Sequence, residues 1–490
     1  MRYRRYFQHA ITAAAYVLSL GGGAQACRPS DVLSVPAPVG VQTSGSLQST
    51  EGAESAFNGA KGQFFVAADG VFFNGLLGAS SELSDEFTYS DFMYGAAAYA
   101  AIDARITAGS AELGDSPWLL LLQARSSLLL ALPGLTTYEV GSGRSRIGEA
   151  YALMGYAELL IAESYCAGTT LSQVIPGGGI QYGNPLTTDS LLGTANADFN
   201  AALAAAYGND TVAALAHVGL GRGLLDRAQY SAADTAVASV PSSFVYNDVL
   251  EPGDYSSGSP YSFNLYDDGF YNGDALINVA DREGSNGLNF LSAHDARLTF
   301  DSSVTTPDGG PWYLPTKFEA NFALIPLATG IEARLIEAED ALQAQQTSAW
   351  VADLNQMRNS GCTATGADTV CGIGAVQVPG QASGLASLSD PGTDSGRVSL
   401  MFRERAFWLF GTGTRLGDLR RLIRQYGRDP SVVFPVGPYP NGHNVNLPTP
   451  IPDYGTDVNL TLPTQAGLFA RGLTISNPNY KGCITSTKTA

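Results

Sequence analysis

Long segments in which apolar residues recur three and four positions apart govern what this chain can become, because an α-helix gathers that spacing onto one face. "SPWLLLLQARSSLLLALPG" (116–134) reads as one such helix, with Ser116 as N-cap, Pro117 in the first turn and Pro133-Gly134 as the stop. "SRIGEAYALMGYAELLIAESYC" (145–166) is a second, apolar around most of its circumference, which marks a buried helix. "TVAALAHVGLGRGLLDRAQYSAADTAVASVP" (211–241) divides into two antiparallel helices near Arg227–Tyr230. "IEARLIEAEDALQ" (331–343) and "AWVADLNQMRN" (349–359) form another pair. The expectation is a mainly α protein of helical hairpins packed in an arc, with the scaffold over about 56–245 and 320–428.

The 211–241 segment has the spacing of a tetratricopeptide hairpin, in which two helices touch through small residues. Leu220-Gly221, Leu224, Ala233 and Val237 occupy those positions, although any tight Ala-rich hairpin shares the pattern. "SLMFRERAFWLFGTGTRLGDLRRLIRQYGRDP" (399–430) is a further pair. Phe402, Ala406, Leu409 and Phe410 share one face, Gly411 and Gly413 interrupt, and Leu416, Leu419, Leu422, Ile423 and Tyr426 form the second face. Arg403, Arg405, Arg415, Arg420, Arg421, Arg424 and Arg428 crowd into this piece. Interleaved with apolar residues, they read as braces for Glu404, Asp418 and helix C-terminal carbonyls rather than as an anion site.

The N-terminus carries Arg2, Arg4 and Arg5, then an apolar run from Ala10 to Leu20 too short to span a bilayer, then Ala24-Gln25-Ala26. That is the layout of an export signal over residues 1–26. Cleavage there leaves Cys27 at the mature N-terminus, either as a lipid-carrying residue or as a leftover thiol. Residues 27–55 are rich in Ser, Pro, Gly and Val and read as an extended tether. Export places Cys166, Cys362, Cys371 and Cys483 in an oxidising compartment, where four thiols allow three pairings. Cys362 and Cys371 flank "CTATGADTVC" and are expected to close a short loop, leaving Cys166 and Cys483 to staple the tail to an early helix. No Cys-x-x-Cys pair or nearby His supports metal binding by these thiols, and no metal site is expected.

The 490 residues carry a net charge of −18, and residues 1–26 hold three arginines and no acids, so the chain without them stands at −21. Such a field repels phosphate backbones, and no nucleic-acid partner is expected. Residues 246–319 and 429–490 lack period and are rich in Gly, Asn, Asp, Pro and aromatics. Irregular stretches of that length are usually functional surfaces or disorder, and the aromatics argue against disorder. A sugar ring packs its C–H face on an exposed aromatic while its hydroxyls take polar partners. "GGPWYLP" (309–315), "YDDGFYNGD" (266–274) and "FTYSDFMY" (87–94) supply such rings. Trp312, Tyr313, Tyr271 and Tyr94 are the candidate ligand-binding residues, in that order; each ring could equally plug the apolar surface beneath its loop.

"RERAFWLFGTGTRLGDLRR" (403–421) resembles the late signature of the SusD/RagB family of outer-membrane nutrient-binding lipoproteins. In that family's order follow "CRPSDVLSVPAP", "GLLGASSELSDEF", "AAAYAAIDARI", "AELLIAESYCAGTTLS", "SAHDARL", "LIEAEDAL" with "LNQMRNSGC", and "TISNPNYKGC", so the likeness runs through essentially the whole chain. Ala24 stands where the family's lipobox has Leu, and "LTLPTQAG" stands where relatives often have an aromatic, proline-rich and acidic stretch. The resemblance implies a SusD-like domain over 56–490 with its hairpins in a right-handed arc, and lipidation of Cys27 on the outer face of the outer membrane. It also implies a SusC-type TonB-dependent transporter as partner, with this chain as its lid. The ligand would be a glycan or another nutrient oligomer, bound without catalysis or cofactor.

Enzyme motifs are scarce. Gly-x-Ser-x-Gly, His-Glu-x-x-His and Walker patterns are absent, and "GTGTRLG" and "GLGRG" lack a preceding strand and read as helix breaks or close contacts. His9, His217, His294 and His443 are scattered. Asp85/Glu86 and Asp267/Asp268 are carboxylate pairs of the kind a glycosidase needs. A carbohydrate-active α-helical hydrolase and a tetratricopeptide-type scaffold for another protein are the two rival readings.

Overall fold

The computed structural model describes residues 48–490 apart from 71–74, 91–95, 108–110, 176–178, 249–276, 306–309, 318–323, 360–361, 366–367, 372–384, 441–449 and 465–475. The export signal, Cys27, most of the tether, Tyr94, Tyr271, Asp267/Asp268 and His443 therefore lie outside the described residues.

The helices are α1 Thr50–Asp69, α2 Leu76–Leu83, α3 Ala96–Asp103, α4 Ala111–Tyr138, α5 Ser145–Ser164, α6 Thr188–Ala204, α7 Asp210–Asp226 and α8 Tyr230–Val237, followed after the irregular stretch by α9 Gly330–Gln343, α10 Thr347–Asn359, α11 Asp394–Trp408 and α12 Arg415–Arg424. The strands are short: β1 Phe87–Tyr89, β2 Gln173–Ile175, β3 Gly179–Gln181, β4 Val245–Asn247, β5 Ile277–Val279, β6 Phe300–Thr305, β7 Pro311–Pro315, β8 Pro326–Thr329, β9 Cys362–Thr365 and β10 Asp368–Cys371. All pair antiparallel in twos: β1 with β5, β2 with β3, β4 with β8, β6 with β7, and β9 with β10. The chain is mainly α.

Three helix boundaries differ from the sequence reading. α1 starts at Thr50, inside the segment read as tether, because Ser49 Oγ accepts the Gly52 N–H at 3.1 Å and caps the helix. α4 starts at Ala111 and runs through both Pro117 and Pro133, so Ser116 is not its N-cap and Pro133 is not a stop. A helical proline costs a backbone hydrogen bond and about 3 kcal/mol. Burial of Leu128, Leu132 and Leu135 offsets it, at about 1.5–3 kcal/mol for each leucine fully removed from water. The stretch Pro117–Tyr138 is long and apolar enough to cross a membrane. Here its inner face, with Leu121, Ala124 and Leu128, is part of the main core, and α4 packs against α1 and α5.

Each helix from α4 to α9 packs on its successor, and α5 also touches α7, as α7 touches α9. The "GLGRG" segment sits within continuous α7 as a close-contact surface, not a break. A Cβ on Gly219 would lie 2.3 Å from the Phe199 ring of α6, and one on Gly221 would lie 2.3 Å from Val237 Cγ1 of α8. Only a residue without a side chain lets these helices approach so closely.

Between α11 and α12, Gly411 and Gly413 adopt φ of +69° and +73°, the left-handed conformation that lets the chain reverse. Arg405, Arg415, Arg420 and Arg421 act as the braces expected of them, whereas Glu404 is held by arginines from outside the 399–430 segment. Arg405 Nε lies 2.8 and 3.0 Å from the two Asp418 oxygens, and Arg421 Nη1 adds a bond to Asp418 at 3.1 Å. Arg415 grips Asp85 at 2.6 and 2.9 Å, and Arg420 donates to the Ala162 carbonyl in the last turn of α5 at 2.8 Å. Arg297 and Arg358 converge on Glu404 at 2.8 and 2.7 Å. α11 thereby sits between two cores, one holding Ala406, Phe407 and Phe410, the other Met401, Phe402, Trp408 and Leu409.

A disulfide joins Cys166, just after α5, to Cys483 in the tail. Beside it Leu460 N donates to the Ser164 carbonyl at 2.8 Å, so the last segment is fixed to the helical body. Cys362 and Cys371 are register partners at the open end of the β9–β10 hairpin; their side chains lie outside the described residues.

Candidate functional site

The second core underlies a surface made from β1, β5, β6, β7 and the segment 280–300. Strand alternation decides what faces out. In β7, Trp312 is 4% exposed and its Nε1–H donates to the Ile277 carbonyl at 3.0 Å, whereas Tyr313 is half-buried. Neighbouring strand residues point to opposite faces. Trp312 and Tyr313 therefore cannot both meet a ligand, and the expectation for Trp312 is corrected: its indole is the floor. Asn278 fixes the surface by donating to the Pro311 carbonyl at 3.1 Å and accepting the Tyr313 N–H at 2.9 Å, which ties β5 to β7.

Two clefts open here, of about 360 and about 740 Å³. The smaller is lined by Thr88, Ser90, Arg282 and Glu283 among others, the larger by His294, Thr299, Phe300 and Ser302. Both include Asp281, Leu291 and Tyr313, so the Tyr313 ring stands where they meet. Sequence reasoning missed Arg282, His294 and the β1 hydroxyls, because the 280–300 segment has no period to assign its faces. The two residues Arg282 and His294 do share one mark, φ of +55° and +48°, which only coordinates reveal.

The carboxyl groups of the clefts are engaged in holding the structure. Asp281 Oδ1 accepts the Leu291 and Ser292 N–H groups at 2.9 Å each and the Ser292 hydroxyl at 3.2 Å. Asp295 pairs with Arg297 through 2.9 and 2.8 Å bonds. Burial alone would raise the pKa of Asp295, but the hydrogen bonds and charge of Arg297 outweigh it and hold the carboxyl below its usual range. Glu283 is buried and accepts the Tyr454 hydroxyl at 2.9 Å; burial, with Asp103 beside it, pushes its pKa well above the ordinary glutamate value. Asp85 is bound to Arg415, and Glu86 is buried under Gly411 and Ser81. Among the described residues no group of His, Cys, Asp or Glu is arranged to hold a metal ion. What the arrangement offers a ligand is an aromatic face flanked by hydroxyls, an amide and one guanidinium.

No protein-family model matches the chain, and no curated protein sequence does. Solved structures do match. A SusD-like carbohydrate binding protein from Bacteroides vulgatus aligns with a TM-score of 0.53 at 16% identity, covering 76% of this chain and 83% of its own. A SusD-like protein from Bacteroides fragilis aligns with a TM-score of 0.56 at 12% identity, covering 90% and 99%. A laminarin binding SusD-like protein aligns with a TM-score of 0.52 at 13% identity, covering 82% and 99%. Identity this low speaks to architecture alone, and on that footing the chain has the SusD-like fold.

Proposed function

We propose that this chain is a non-catalytic surface lipoprotein of the SusD/RagB type that captures an oligosaccharide on the surface around Tyr313. The observation that carries the reading is the placement of that ring. It is presented half-buried at the junction of two clefts, on a strand whose neighbours anchor it to a rigid core, with polar groups of β1 and the 280–300 segment around it. A rigid ring of this kind loses little entropy on binding a sugar face, and the surrounding hydroxyls and amides take the ligand's hydroxyls. Engagement of Asp85, Asp281 and Asp295 in structural bonds favours holding over hydrolysis. Similarity to a carbohydrate binding protein and a laminarin binding protein points the same way.

In this reading residues 1–26 are an export signal, Cys27 carries the lipid and 27–49 form the tether. The serial hairpins form a tetratricopeptide-like right-handed arc behind the clefts, and Cys362–Cys371 closes its hairpin as a second disulfide. The chain sits on the outer face of the outer membrane as the lid of a SusC-type TonB-dependent transporter. Isothermal calorimetry against a panel of glycans, run beside a reducing-end assay, tests the central claim. A saturable glycan ligand is expected, with no new reducing ends, and Tyr313→Ala should weaken it roughly tenfold, about 1.4 kcal/mol. Release of new ends, or binding indifferent to Tyr313→Ala, would overturn it. Co-purification with an outer-membrane barrel tests the partner.

A further inference from the structure

We propose that the paired clefts select sugars bearing an anionic substituent, a carboxylate or a sulfate, and that Arg282 is the residue that selects them; this rests on the glycan-binding reading above. Arg282 is the only Arg or Lys among the described residues that line either cleft. Its side chain is exposed and directed by a relay in which its Nε–H donates to Ser292 Oγ at 3.2 Å and that hydroxyl donates on to Asp281 Oδ1 at 3.2 Å. The relay uses Nε alone. Both Nη groups are left without a hydrogen bond or ion pair among the described residues, whereas Arg297, Arg405, Arg415 and Arg421 are bound to carboxylates and Arg403 to the Asn289 amide oxygen.

The acids nearby do not cancel this charge by contact. Asp295 is paired with Arg297, Glu283 is buried and bonded to Tyr454, and Asp281 spends Oδ1 on three donors without an ion pair to Arg282. The backbone supplies a second observation. Arg282 sits at φ +55°, its N–H donating to the Leu288 carbonyl at 2.8 Å, where Gly or Asn would fit with less strain. An arginine held there contributes through its side chain. A guanidinium with two free Nη groups offers parallel donors that match two oxygens of a carboxylate or a sulfate, a match that a neutral sugar hydroxyl lacks. On a chain this acidic, such a ligand is recognised at short range by the fork and not steered by the overall field.

Three oligosaccharide sets matched in backbone and length test the assignment in calorimetry with the full mature chain: a neutral β-glucan, the oligouronate made by oxidising its C6 hydroxyls, and its sulfate ester. At least one anionic set should bind tenfold or more tighter than the neutral one, with affinity falling as salt rises. Comparison of the oligouronate and sulfated arms identifies which anion is used. Arg282→Gln should remove that preference, and Arg282→Lys should restore only part of it, because charge is kept but the fork is lost. Equal affinity for neutral and anionic sets, or a preference that survives in Arg282→Gln, overturns the assignment and leaves glycan capture standing. Failure of every set to bind removes both. Circular dichroism of Arg282→Gln separates a lost contact from a lost fold.

Discussion

Glu82 gives the most exacting test of how this fold is held together. It lies in α2 at 0% exposure, and neither carboxyl oxygen has a hydrogen-bond partner. Burial first, and the nearby Asp103 second, raise its pKa well above the ordinary glutamate value. The folded state therefore keeps a proton that the unfolded chain releases above about pH 4.5. A state that holds the extra proton loses stability as pH rises, at about 1.4 kcal/mol per pH unit, until the folded group itself ionises. Glu82→Gln preserves the shape and cannot ionise, so it removes that slope. In urea unfolding followed by tryptophan fluorescence, the advantage of the variant over the parent should grow by about 1.4 kcal/mol for each unit above about pH 5. Glu82→Met, which also removes an unpartnered polar group, should add a pH-independent gain of about 1–3 kcal/mol. If the difference between Glu82→Gln and the parent stays constant from about pH 5 to about pH 7, the carboxyl is already ionised in the fold as it is in the unfolded chain, and the burial argument is wrong.

Glu86 contributes with the same sign: burial, against opposing bonds from Gly411 N and Ser81, lifts it to about 7, so its share of stability falls as pH rises from about 4.5 and levels above about 7. A melt of Glu86→Gln should show that the loss below neutral pH is smaller than in the parent. Replacing Cys166 and Cys483 with Ser opens a closure of 317 residues and should cost about 2–4 kcal/mol, with faster amide exchange at Val458 and Leu460; an unchanged melting temperature would refute the staple. Gly219→Ala should destabilise by about 1–3 kcal/mol because its methyl meets the Phe199 ring, while Gly59→Ala, in α1 with nothing within 4 Å, should stabilise by about 0.5–1 kcal/mol. The opposite signs are the test, since helix propensity alone predicts a gain at both. Trp312→Ala should cost about 3–5 kcal/mol through cavity formation, whereas Tyr313→Ala, whose ring is half-buried, should lower glycan affinity with a smaller loss of stability.

Helix content was legible because it is written locally. The three-and-four spacing of α5, α7 and α9 needs no distant partner to be read, and neither does the glycine break between α11 and α12. The arginine braces were legible as well, since apolar residues interleaved with guanidinium groups place both in the interior. Local signals misled where a distant contact outweighed them. Pro133 reads as a stop, yet α4 continues because leucines on its inner face are buried against other helices. Residues 50–55 read as tether, yet Ser49 caps a helix that packs on α4.

The site belongs to the other category. Trp312 and Tyr313 are equivalent in sequence, and only the pairing of β7 with β6 and the Asn278 tie to β5 turn one ring inward and the other outward. Arg282 is one charged residue in an aperiodic stretch until its turn places it beside Ser292 and the Tyr313 clefts. Helices are short-range objects that a sequence can specify alone. A cleft is a set of distances between β1, β5, β7 and the 280–300 segment, and those distances exist only once the whole chain has packed.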